Sequence, residues 1–68
     1  MTKNDKKMLD EIFTNKDRYS IKVDSDVVWV LDKNKDPEDD NYWTGFDEYG
    51  WEFIISLFEY LGFDSEGV

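Results

Sequence analysis

The stretch YSIKVDSDVVWVL, residues 19–31, decides how this chain folds. Tyr19, Ile21 and Val23 alternate with Ser20 and Lys22, the period-two pattern of a strand with one covered face. Asp24, Ser25 and Asp26 then interrupt it with turn-forming side chains. Residues 27–31 are apolar at every position and rich in β-branched side chains. That composition fits a central strand covered on both faces, or a strand at a dimer contact. Two strands joined so tightly form a hairpin, so the chain holds an antiparallel sheet. Trp29, in the middle of the second strand, is expected to be a core residue whose loss unfolds the domain.

On the N-terminal side, Met8, Leu9, Ile12 and Phe13 fall on one stripe at helical period and predict a helix from about Asn4 to Asn15. Thr2 or Asn4 serves as its N-cap, and Asn15 is a candidate for a left-handed residue at its end. On the C-terminal side, residues 32–41 (DKNKDPEDDN) form a loop. Tyr42 to Phe46 reads as a third strand, with Tyr42, Thr44 and Phe46 on one face and Trp43 on the other. A second helix covers about Trp51 to Leu61, either capped by Asp47 or starting only at Trp51 with the DEYG segment as a turn.

Gly62, with Phe63 packing back on Phe58, gives that helix a Schellman-type end. Trp51, Ile54, Ile55, Phe58 and Leu61 make its broad apolar face, while Glu52, Ser56 and Glu59 form a narrow polar stripe. A helix this apolar is either the central core element or part of an interface. The order is helix, three-stranded antiparallel meander, helix. The fold class is therefore α+β (αβββα), in one domain over residues 1–68 with a frayed tail at about 64–68.

Sixty-eight residues support a single core. A chain this short buries about 60% of its unfolded surface and needs help to be stable. Disulfides, thiolate metal sites and histidine ligands are unavailable, because the chain has neither Cys nor His. Five Phe, four Tyr and three Trp supply apolar area instead.

The formal net charge is −9, and it is unevenly spread: +2 over residues 1–23 and −11 over residues 24–68. From Asp36 onward there are ten acids and no Lys, Arg or His. Such a field disfavours direct nucleic-acid binding and docking to an anionic membrane surface. No apolar run approaches the roughly 20 residues of a transmembrane helix, and no apolar segment follows the N-terminal lysines as in a signal peptide. The expected location is the cytoplasm.

Asp32, Asn34, Asp36 and Glu38 stand at the alternate positions of a calcium-binding loop. The pattern then fails, since Pro37 occupies the glycine position and Trp43 the position of the bidentate glutamate. No metal site and no cofactor are assigned. Without His, Cys, a glycine-rich phosphate loop or a serine-nucleophile motif, no catalytic residue is assigned either, and the chain is expected not to be an enzyme.

The candidate partner-binding residues are Asp36, Glu38, Asp39, Asp40, Tyr42, Trp43, Asp47, Glu48 and Tyr49. Closely spaced carboxylates can meet the lysines and arginines that track a phosphate backbone. Aromatics among them anchor an interface and stack on arginine. The six acids from Asp36 to Glu48 are expected to share one face, whereas Glu52 and Glu59 serve to keep the second helix soluble. The expected partner is a basic protein surface.

In layout, with NDKKMLDEIF, then YSIKV and VVWVL, then NYWTGF, then WEFIISLFEYL, the chain resembles the small acidic phage-encoded inhibitors of host defence, including anti-CRISPR proteins that act as DNA mimics. The resemblance rests on length, charge and element order. It implies a mechanism in which carboxylates occupy the basic groove of a nuclease or other DNA-binding protein, such as a CRISPR-Cas effector. An immunity protein or antitoxin plugging a basic toxin has the same electrostatics. A small homodimeric interaction domain, paired through the apolar second helix or the VVWVL strand, is the reading that owes nothing to charge.

Overall fold

The fold was derived from a computed structural model, which describes residues 1–64. It is the α+β arrangement expected: α1 (Lys3–Thr14), a 3-10 turn (Lys16–Arg18), β1 (Tyr19–Asp24), β2 (Val27–Asp32), β3 (Trp43–Gly45) and α2 (Gly50–Tyr60). The three strands form an antiparallel sheet in the order β1-β2-β3. The frayed tail expected at about 64–68 lies, beyond Asp64, outside the described residues.

The hairpin pairs Tyr19 with Asp32, Ile21 with Val30 and Asp24 with Val27, leaving Ser25 and Asp26 as a two-residue turn. Ser25 takes φ 55°, the left-handed region that tight hairpin turns demand of a central residue. β3 adds on the other side, with Trp29 opposite Gly45, Val30 opposite Thr44 and Leu31 opposite Trp43. Because side chains alternate, this register sorts the sheet into two faces. Tyr19, Ile21, Val23, Val28, Val30, Asp32 and Thr44 share one, and Ser20, Lys22, Asp24, Val27, Trp29, Leu31, Trp43 and Gly45 share the other.

The core lies on the first face. Val30 of β2 meets Leu9 of α1, Phe46 just after β3 and Phe53 of α2. The Phe46 and Phe53 rings are 4.7 Å apart and tilted by 53°. Met8, Ile12, Tyr19, Val28, Leu57 and Tyr60 close around this centre. The second face is not covered by a helix, which corrects the expectation that β2 is enclosed on both sides. Trp29 is half-buried and outside the core. Its ring lies over Gly45, where a Cβ would stand 3.2 Å from it, so glycine at that site makes room for the indole.

α1 begins as a capped helix should: the Thr2 hydroxyl accepts the Asp5 N–H at 3.0 Å. Asn15 ends it at φ −129°, not in the left-handed region, and its amide donates back to Glu11. α2 differs more from expectation. Its N-cap position is Tyr49, which makes no side-chain cap, so Asp47 does not cap it. The helix is instead tied at its start by the Gly50 N–H, which donates to the Asp26 carbonyl in the hairpin turn at 2.9 Å.

The C-terminal end of α2 is as expected. Gly62 sits at φ 95°, Phe63 N–H donates to the Phe58 carbonyl at 2.9 Å, and the two rings meet edge to face at 6.1 Å.

The inward side of α2 is the largest correction. Phe53 and Ser56 are buried, and Leu57 and Tyr60 pack beside them. Trp51, Ile54, Phe58 and Leu61, assigned from sequence to the main apolar face, are exposed, Trp51 at 79%. Ser56, assigned to the polar stripe, points inward and donates to the Glu48 carboxylate at 3.0 Å. On a helix with apolar residues nearly all round, several faces can be buried, so neighbours decide which one is.

Candidate protein-binding site

The nine candidate residues fall into two groups at opposite ends of β3. Asp36, Glu38, Asp39 and Asp40 are exposed on the loop entering β3, followed directly by Tyr42 and Trp43. Asp47, Glu48 and Tyr49 lie beyond the other end, between β3 and α2. The single face expected of the six acids is therefore not formed, because the strand between the groups holds them apart.

The loop is built from two successive turns. The Asp39 N–H donates to the Asp36 carbonyl at 2.9 Å, and the Tyr42 N–H donates to the Asp39 carbonyl at 3.0 Å. Two carboxylates brace these turns locally: Asp36 accepts from the Glu38 N–H at 2.9 Å and Asp39 from the Asn41 N–H at 2.8 Å. This is the usual reason for aspartate in a turn. The side chains of Glu38 and Asp40 take no part in the bracing and present whole carboxylates to solvent. Among the described residues the ion pairs are Arg18–Asp32 and the Met1 ammonium with Glu48, so none of the four loop acids is neutralised. Lys33 and Lys35, though close in sequence, do not pair with them.

Beside the loop, Trp43 projects from the open face of the sheet and is 40% exposed. Tyr42 meets it edge to face at 6.0 Å. Lys22 Nζ lies 5.8 Å from the Trp43 ring centre, a cation–π arrangement across the sheet. Lys22 was not among the residues singled out from sequence. Its even position in the hairpin, on the same face as Trp29 and Trp43, is the signal that reveals it once the register is known.

The second group is tied into the fold. Asp5, buried in the first turn of α1, accepts the backbone N–H of Asp47 at 2.7 Å and of Glu48 at 2.9 Å. The Thr2 hydroxyl donates to Asp47 at 3.1 Å, and Glu48 is occupied by Ser56. Asp47 and Tyr49 are exposed, and Tyr49 alone in this group makes no side-chain hydrogen bond among the described residues. Asp5 was read from sequence only as a helix residue. Nothing in its local pattern distinguishes a carboxylate that reaches 42 and 43 residues along the chain.

Asp32, first of the apparent calcium-loop positions, is buried and accepts from Arg18 with both oxygens, at 3.0 and 2.9 Å, and from the Asn34 N–H. The Arg18 hydrogen bonds hold its carboxyl below the ordinary aspartate value, against the opposing effect of burial. Tyr60, whose hydroxyl donates to Asp10 at 2.5 Å, is shifted upward by that hydrogen bond and by burial. Among the described residues no group of three or more acids is placed to hold a metal ion, and no helix is long and apolar enough to cross a membrane. Comparison of the chain with family models, with curated proteins and with solved structures returns no match.

Proposed function

We propose that this protein is a non-enzymatic inhibitor that works by occupying a basic protein surface, with the loop at 36–40 as the contact and Tyr42 and Trp43 as its aromatic flank. One observation carries the reading. Four exposed carboxylates stand on a turn-braced loop with no cation paired to them, in a chain of net charge −9. Leaving like charges together costs the free protein self-repulsion, and a basic partner removes that cost. The double turn lowers the ordering entropy paid on docking.

A groove that binds duplex DNA offers the matching surface: arginines and lysines in rows, accessible to a compact polyanion. The protein then acts as a DNA mimic on a nuclease or other DNA-binding protein. A CRISPR-Cas effector, whose arginines read guanines, is one target of that kind.

The test uses the immobilised protein to capture partners from a bacterial lysate, followed by elution with salt and with duplex DNA. DNA-binding proteins should be retained, should be lost as salt rises, and should be displaced by duplex. The double variant Glu38→Lys with Asp40→Lys should lose them while keeping the wild-type melting curve, because neither side chain braces a turn. Partners indifferent to both salt and duplex, or unaffected by the double variant, would overturn the proposal.

A further inference from the structure

Edge strand β1 and the exposed stripe of α2 open on the same side of the molecule. Ile21 and Val23 of β1, with Trp51 and Ile54 of α2, line an open groove of about 560 Å³. Val23 is 67% exposed and Ile21 50%. Along α2, Trp51, Ile54, Phe58 and Leu61 follow one another at spacings of three and four, the pattern of a helix seam that expects a partner. β1 is six residues long and, among the described residues, pairs on one side only. An edge strand of that length, with Ile21 and Val23 exposed on one face and no proline or bulge, is a template for another strand.

The main-chain register says which groups are free. The Lys33 N–H donates to the Arg18 carbonyl, so residues 18 and 33 form a hydrogen-bonded pair and, by alternation, so do 20 with 31, 22 with 29 and 24 with 27. Ile21 and Val23 therefore direct both their N–H and C=O groups away from β2, to the open edge, and Tyr19 directs its C=O there, its N–H being held by the Lys16 carbonyl.

We propose that a second copy of this chain covers this edge, with β1 pairing antiparallel to β1 about a two-fold axis at Ile21. That register sets Ile21 against Ile21, Tyr19 against Val23, Ser20 against Lys22 and Arg18 against Asp24. The free main-chain groups of the outward-facing residues then pair across the axis, forming up to about four hydrogen bonds. Apolar side chains meet at the centre and no like charges are opposed, Arg18 keeping its hydrogen bonds to Asp32 of its own chain. The neighbouring registers are worse: an axis at Lys22 opposes two lysines, and an axis at Ser20 opposes Arg18 to Lys22. The same axis places the apolar stripes of the two α2 helices together on one side of a six-stranded sheet, the self-complementary surface of an isologous dimer.

The dimer goes beyond the inhibitor reading and stands or falls separately, because its salt dependence runs the other way. Screening weakens an acidic loop's hold on a basic partner, but it relieves the mutual repulsion of two chains of charge −9.

Sedimentation equilibrium of the wild-type chain should show a dimer that strengthens with salt. Ile21→Lys sets like charges on the axis and should weaken self-association by at least about tenfold. An equimolar mixture of Ile21→Lys and Ile21→Glu should restore it. The chain has no cysteine, so Ile21→Cys gives a clean report of register. Two Cα atoms opposed in a hydrogen-bonded pair stand about 5.5 Å apart, within disulfide range. Ile21→Cys should therefore crosslink under mild oxidation, while Lys22→Cys, displaced from its twin, should not.

A wild-type chain still monomeric at about 1 mM would overturn the proposal, since that concentration corresponds to only about 4 kcal/mol of association. So would a dimer that survives Ile21→Lys, or one in which position 22 crosslinks in preference to 21.

Discussion

The two sides of this small domain are finished differently. On the β3 side, polar groups are spent inward. Asp5 clasps the backbone at Asp47 and Glu48, Thr2 serves both Asp5 and Asp47, and Ser56 ties down Glu48. β3 itself is only three residues long and is flanked by acids, so it offers little edge to pair with. On the β1 side, apolar groups are turned outward, and the edge strand is twice as long as β3. The contrast shows that exposure of large apolar residues here is not the scattered exposure common to all surfaces. Trp43 and Tyr49 are exposed on the β3 side as well, but only on the β1 side do Ile21, Val23, Trp51 and Ile54 line one common groove.

The sharpest way to break that contrast is to open the closed side. Asp5→Ala leaves two backbone N–H groups without acceptors in a buried position. It should cost about 3 kcal/mol, a large part of the stability of so small a domain, measured as the shift in urea midpoint. Stability equal to wild type would mean that the clasp is dispensable and that the two sides do not differ as described.

A smaller effect tests the ion pair at the base of the acidic loop. The Asp32 carboxyl is held below its ordinary value of 3.8, chiefly by its hydrogen bonds to Arg18. A group depressed in the folded state stabilises the protein above the unfolded value. That contribution is lost as pH falls through the lower folded value, because the unfolded chain takes up the proton first. Urea midpoints recorded between pH 6 and pH 2 should fall in the acid range, and Asp32→Asn should lack its share of that fall. Parallel pH profiles for the two proteins would show that the pair contributes no linkage.

The smallest effect belongs to the open side. Trp51→Gln removes a side chain that is 79% exposed, and should change monomer stability by no more than about 0.5 kcal/mol. The same change should weaken self-association, since the indole lines the β1 groove. A large loss of monomer stability would show that Trp51 supports its own chain.

Much of the fold was legible because its signals are local. The alternation in Tyr19–Val23, the turn at 24–26 and the apolar run that follows define the hairpin within thirteen residues. Gly62 and Phe63 mark the end of α2 by their own conformational and packing preferences. The candidate site was legible in part: the loop acids and Trp43 come together as their sequence proximity implies. Asp47 and Glu48 do not join them, because sequence proximity says nothing about which end of a strand a side chain serves.

Composition, charge and periodicity thus specify the elements, their order and the unpaired acidic loop, since each depends on neighbours a few residues apart. Which side of α2 faces inward, that Trp29 lies on an open face over Gly45, and that Asp5 closes the β3 side were settled by packing. Those outcomes depend on groups brought together from distant parts of the chain, where an apolar helix has several faces it can bury and a buried carboxylate goes to the nearest unsatisfied N–H.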